Sequence, residues 1–119
     1  MEVRTLDDGP INLRGGQVSH LLFAPEFGSR SVAVTWVRGD PGSQQQVHFH
    51  RESEQIYVIT RGQGTMIVDE EEREVTAGCA ILIRPLSRHA IRNTGTEPLE
   101  YVTATAPPLD SDALWESGT

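Results

Sequence analysis

Turn residues interrupt this chain so often that no segment of ten or more residues keeps a clean helical period. Asp7-Asp8-Gly9-Pro10, Gly15-Gly16, the stretch from Arg38 to Gly42, and Arg61-Gly62-Gln63-Gly64 all read as turns. Between them lie short runs rich in β-branched and aromatic residues, clearest from Ser31 to Val37 and from Ile56 to Thr60. Such side chains favour a pleated, half-buried surface. About eight to ten strands separated by frequent turns is the pattern of an all-β sandwich or barrel.

A chain of 119 residues suggests one domain, with room for one core. We read 1–119 as that domain, with a core from 17 to 108, N-terminal strands over 1–16 and a polar tail over 109–119. Leu114 and Trp115 are the tail's only anchors, and a short helix is expected there. The acidic run from Asp69 to Glu72 reads as a solvated hairpin tip.

Seventeen acidic residues face ten basic ones, a net charge of −7 that repels phosphate backbones and argues against nucleic acid as a partner. Every basic residue is Arg, so Schiff-base chemistry through a lysine is excluded. The single cysteine, Cys79, cannot form a disulfide within the chain and sits in an apolar run, where an inert core thiol is expected. The first residues lack a basic patch followed by an apolar run, and no apolar stretch approaches the ~20 residues of a membrane span. A cytoplasmic protein without a membrane partner is the expectation.

Chemistry concentrates in two stretches. Val47-His48-Phe49-His50 reads as extended, and residues i and i+2 of a strand point to the same face. Both imidazoles then emerge together, and Phe49 points the other way, where a second subunit is the expected cover. Glu54 and Gln55 follow a short polar turn and offer an oxygen ligand. Neighbours on a strand face opposite sides, so only one of the two can point at the histidines. Further along, the apolar run from Ala80 to Ile83 leads through a turn to His89, a third imidazole.

Together these stretches resemble the two motifs of the cupin superfamily. The first family motif is Gly, five residues, His-x-His, three or four residues, Glu, six residues, Gly. It matches at Gly42, His48, His50 and Gly62, with Gln55 standing at the Glu position and Glu54 one step early. The second is Gly, five residues, Pro-x-Gly, two residues, His, three residues, Asn. It matches at Gly78, His89 and Asn93, with Arg84-Pro85-Leu86 in place of Pro-x-Gly.

The resemblance implies a double-stranded β-helix, or jelly-roll barrel, with one divalent transition metal held by His48, His50, His89 and Gln55. Zn, Fe, Mn, Ni and Cu all suit imidazole. The motif spacing to Gly62 favours Gln55 over Glu54 as the oxygen ligand, and Tyr57 shares strand parity with Gln55. Tyr57, Glu54 and His20 are the candidate proton carriers, and Trp36, Phe23 and Val34 the candidate cavity wall. Asn93 is expected to fix its turn. The family includes cyclases, isomerases, dioxygenases and non-catalytic ligand binders. The expectations here are therefore Lewis-acid isomerase or cyclase chemistry, dioxygenase chemistry, or simple ligand binding or sensing. A small oxygen-bearing molecule is the expected partner in each, within a homodimer.

Overall fold

Strand alternation is explicit in the central strand. In the computed structural model Gln55, Tyr57 and Ile59 are buried, whereas Glu54, Ile56 and Val58 between them are exposed. The structure describes residues 1–108 and the pair 114–115. Its strands are β1 (Ile11–Arg14), β2 (Gln17–Phe23), β3 (Ala33–Gly39), β4 (His48–Phe49), β5 (Glu54–Arg61) and β6 (Gln63–Val68). They continue with β7 (Glu71–Thr76), β8 (Ala80–Ile83), β9 (His89–Arg92), β10 (Leu99–Ala106) and β11 (Leu114–Trp115). The described helical residues form two single turns, Leu6–Asp8 and Pro25–Phe27. Among the described residues no helix is long and apolar enough to cross a membrane.

Two antiparallel sheets carry these strands. One has the order β1-β2-β3-β10-β5-β8 and the other β11-β4-β9-β6-β7. Consecutive strands switch repeatedly between sheets, which makes the double-sheet jelly roll anticipated from the motifs. The core between the sheets contains Val37, Tyr57, Ile59, Met66, Val75, Ile83, Ile91, Leu99 and Tyr101, with Cys79 packed against it.

The turns explain themselves locally. Gly62 closes the β5–β6 turn with φ 85°, a conformation that favours glycine, and a Cβ there would collide with the Pro98 carbonyl. Val68 pairs with Glu71, so the acidic hairpin tip narrows to Asp69 and Glu70. Asp69 Oδ1 accepts from the Arg88 N–H at 3.0 Å, which ties that tip to the turn before β9.

Two expectations are corrected. Val37 faces the core, so its neighbour Trp36 faces outward. His20 lies opposite Trp36 and Phe23 lies opposite Val34, which places all four on the outer side of the six-stranded sheet. Trp36, Phe23 and Val34 therefore do not line the barrel. The tail helix is also not what forms at Leu114 and Trp115. These residues make a two-residue strand antiparallel to β4, with Leu114 opposite Phe49 and Trp115 opposite His48. The remainder of 109–119 lies outside the described residues.

Candidate metal centre

His48 and His50 flank Phe49 on one short strand, and β4 pairs with β9 so that His48 lies directly opposite His89. Sequence-distant imidazoles thus meet by register alone. Their ring centroids are 4.3 Å apart for His48 and His89, 5.4 Å for His48 and His50, and 5.6 Å for His50 and His89. One ring nitrogen from each lies within 4.8 Å of the others.

The surroundings orient two of the rings. His48 Nδ1 lies 2.9 Å from the Gln46 carbonyl, and His89 Nδ1 lies 2.9 Å from the Ser87 carbonyl. A carbonyl only accepts, so each Nδ1 carries the proton and each Nε2 keeps its lone pair. Burial pushes the His89 pKa down from 6.5 to about 3, helped by the neighbouring His48 and opposed by the Ser87 carbonyl. Burial likewise pushes His48 down to about 4, opposed by the Gln46 carbonyl and helped by His50 and Arg14. Both rings are held neutral, the form that binds a metal.

Gln55 enters from the opposite sheet. It pairs with Thr105 across β5 and β10, and its NH2 donates to Thr105 Oγ1 at 2.8 Å. That bond turns the amide oxygen inward, to 2.9 Å from His89 Nε2. A neutral His89 has one proton, already placed at Nδ1. Two lone pairs then face each other at hydrogen-bond distance in a buried site. A cation between them resolves the repulsion. Metal bonds of about 2.0–2.1 Å at a right angle put two ligand atoms about 3 Å apart, so the residues present fit a divalent ion.

Glu54, the other candidate oxygen ligand, is exposed on the outward parity of β5. Tyr57 is fully buried. Its hydroxyl donates to Gln45 Oε1 at 3.2 Å, and its ring meets His89 edge-on at 6.0 Å. Burial raises its pKa above the usual phenol range. His20 faces the outer side, with Nδ1 2.8 Å from the Leu6 carbonyl and its ring against Trp36. The structure therefore brings together His48, His50, His89 and Gln55, with Tyr57 beside them, and leaves Glu54 and His20 outside. Asn93 donates to the carbonyls of Gly39 and Glu97 and accepts from the Gly95 N–H, so it does fix its turn.

Gln45 and Thr105 carry no chemical signature in the sequence. A glutamine or threonine becomes informative only when its partner across the barrel is known. The turn at 84–87 buttresses the site from behind, because Leu86 N–H donates to the His50 carbonyl at 2.7 Å.

Comparison with known proteins bears on the fold and the family. The family model described as a cupin domain matches residues 35–105. An uncharacterised protein of Methanocaldococcus jannaschii is 42% identical over 71 residues, 60% of this chain, and the match spans only 57% of that protein's length. Protein SchB of Streptomyces halstedii is 36% identical over 104 residues, covering 85% of this chain and 74% of its own. The oxalate-binding protein of Thermotoga maritima is 27% identical over 95 residues, covering 76% of this chain and 78% of its own. Among solved structures, the polyketide cyclase RemF of Streptomyces resistomycificus superimposes with a TM-score of 0.83 at 17% identity, covering 100% of this chain and 87% of that one.

Proposed function

The chain belongs to the cupin family, and from that premise we propose that it is a metal-dependent cupin acting on a small oxygen-bearing organic molecule. His48, His50, His89 and Gln55 hold the ion. The observation that carries this reading is the 2.9 Å approach of Gln55 Oε1 to His89 Nε2. A cation held by both would satisfy them.

Bound there, a divalent transition ion supplies Lewis acidity and, if redox-active, access to oxygen chemistry. All four ligands are neutral, so the ion keeps its full charge. That favours polarising a carbonyl or hydroxyl, as isomerisation or cyclisation requires, over stabilising a higher oxidation state. Within the chain, the Gln46 and Ser87 carbonyls fix the ring tautomers and Thr105 fixes the amide. Tyr57 commits its proton to Gln45 and positions His89 through its ring edge.

Binding without turnover is the second reading. It is favoured by the outward placement of Glu54 and His20, two of the three candidate proton carriers. The oxalate-binding relative shows that a family member can carry that role by name.

The functional unit in this reading is a homodimer. Leu114 and Trp115 of the same chain already pair with the strand that bears Phe49. The uncovered apolar surface lies on the other sheet, in two registered rows, Trp36-Val102-Val58-Ala80 and Val34-Ala104-Ile56-Leu82. These rows carry no charge in a chain of net charge −7, so a second copy can dock there without like-charge contact at its centre.

Metal analysis of anaerobically purified protein tests the proposal. Zinc without oxygen uptake supports Lewis-acid chemistry. Iron, copper or nickel with substrate-dependent uptake supports oxygenation. His50→Ala is expected to remove most of the metal and keep the fold. Unchanged metal content in that variant would overturn the assignment.

A further inference from the structure

β7 and β8 are joined by one turn, yet each is an outermost strand of a different sheet. The turn is pinned to β5, because the Gly78 N–H donates to the Ile59 carbonyl at 2.8 Å and the Ile59 N–H donates to the Cys79 carbonyl at 2.9 Å. From that fixed point the two strands splay without pairing to each other. The gap between them is a cleft of about 360 Å3. His48, His50, His89 and Gln55 do not line it.

Its walls are apolar. Met66 and Val75 are buried at the floor. Val68, Cys79 and Ile81 are only half-buried, so they keep surface open to the cleft. Val68 lies opposite His89 across β6 and β9, and Ile81 lies opposite Tyr57 across β8 and β5. Neighbouring strands are about 4.8 Å apart, so each wall stands one strand's width from a residue of the metal centre.

The mouth carries charge that is already spent. Glu71 pairs with Val68 and Arg73 with Met66, which gives both the core-facing parity at the rim. They lie 3.8 Å apart and largely exposed, a weak ion pair with no net charge for a ligand. Glu74 already accepts from Gln63 and Thr65. A thioether, a thiol and branched alkyl groups offer contact area rather than hydrogen bonds. Burying a ring against them is favourable, and burying a charge is costly. A cavity of roughly 150 Å3 holds benzene, so this one has room for about two rings.

Two other occupants are disfavoured. Leu114 and Trp115 of the tail pair with β4, at the far side of the sheet from β7. A second copy would bring its own net charge of −7 against an edge strand that begins Glu-Glu-Arg-Glu.

We infer that the cleft between β7 and β8 binds an uncharged compound of one or two rings, held by Met66, Val68, Val75, Cys79 and Ile81. This names a ligand class for the function proposed above, a neutral ring compound rather than a small organic acid. It rests on that reading only for what the metal does to the ligand, not for binding.

Methyl NMR of the full chain titrated with 2-naphthol tests it, in chelator-treated and zinc-supplemented samples run in parallel. Saturable shifts of the Met66, Val68, Val75 and Ile81 methyls are expected in both. The charged analogue 2-naphthoate should bind at least about tenfold more weakly. Ile81→Phe, which fills the cleft, should weaken the naphthol response about tenfold with metal content unchanged. Arg73→Gln, on the exposed rim, should leave the midpoint within about twofold. No saturable shift at these methyls, shifts centred on Ile56 and Leu82 instead, equal binding of 2-naphthoate, an unchanged midpoint in Ile81→Phe, or a tenfold loss in Arg73→Gln would each overturn the inference. Cleft methyls that move on dilution of the protein alone would overturn it too, in favour of a second copy. Zinc retention without a naphthol response would sink the cleft and spare the metal centre. A naphthol response in protein that retains no zinc would do the reverse.

Discussion

Gln55 and His89 meet across the barrel with Oε1 2.9 Å from Nε2, and each is held in that pose from behind, Gln55 by Thr105 and His89 by Ser87. The family motif has a carboxylate where this chain has an amide. Substituting Gln55→Leu removes the oxygen and should weaken metal binding by roughly 10–100-fold, the range seen when groups supporting a site are lost. Gln55→Glu restores a charged ligand and should bind at least as tightly as the parent. Competition against a chromophoric chelator measures both. Equal affinity in the parent and the leucine variant would remove Gln55 from the ligand set.

Metal-free protein should lose stability in mild acid. His48 and His89 titrate near pH 4 and 3 when folded, against 6.5 in the ordinary imidazole. The unfolded chain therefore binds more protons between these values, and stability falls as pH drops from 6.5 towards 3. Each histidine contributes at most about 1.4 kcal/mol per pH unit in that window. Urea denaturation of chelator-treated protein at pH 7.5 and 5 reads the effect, and His89→Asn should flatten it. A parent profile flat over that range would contradict the buried, neutral rings.

Leu86 stands where the family motif has glycine, and it adopts φ 72° while 62% exposed. A left-handed conformation costs a non-glycine residue about 1–2 kcal/mol, and glycine's extra freedom in the unfolded chain offsets part of the relief. Leu86→Gly should raise stability by up to about 1 kcal/mol, seen as a higher Tm with metal content unchanged. A lower Tm would mean that Leu86 makes a packing contribution larger than its strain.

The outer face of the six-stranded sheet makes the proposed dimer testable. Ile56, Val58 and Leu82 are 42%, 40% and 46% exposed on two adjacent strands, β5 and β8. Sedimentation of the parent should give a dimer, and Val58→Glu, placed in the uncharged centre, should give a monomer with metal binding retained. A monomeric parent, or a glutamate variant that still dimerises, would move the interface elsewhere.

Much of the site is readable in one dimension because strand parity is a local rule. The i, i+2 spacing puts His48 and His50 together, and the same rule puts Gln55 and Glu54 on opposite faces. The rule says which residues share a face, but not which face is the core. Trp36 and Val34 were expected in the barrel because they are apolar, yet Val37 and its parity hold the inside. The tail strand at Leu114 and Trp115 was similarly hidden, because it exists only by pairing with β4.

The sequence alone determined the β class, the two glycine-framed motifs and the residue types of the candidate metal ligands, since turn chemistry, alternation and ligand spacing all act over a few residues. Tertiary structure decided the rest. It set His89 opposite His48, brought Gln55 from the other sheet, and splayed β7 from β8 over Met66 and Val75. Each of those relationships depends on strand order and register, and both are fixed by how two sheets close over a shared core.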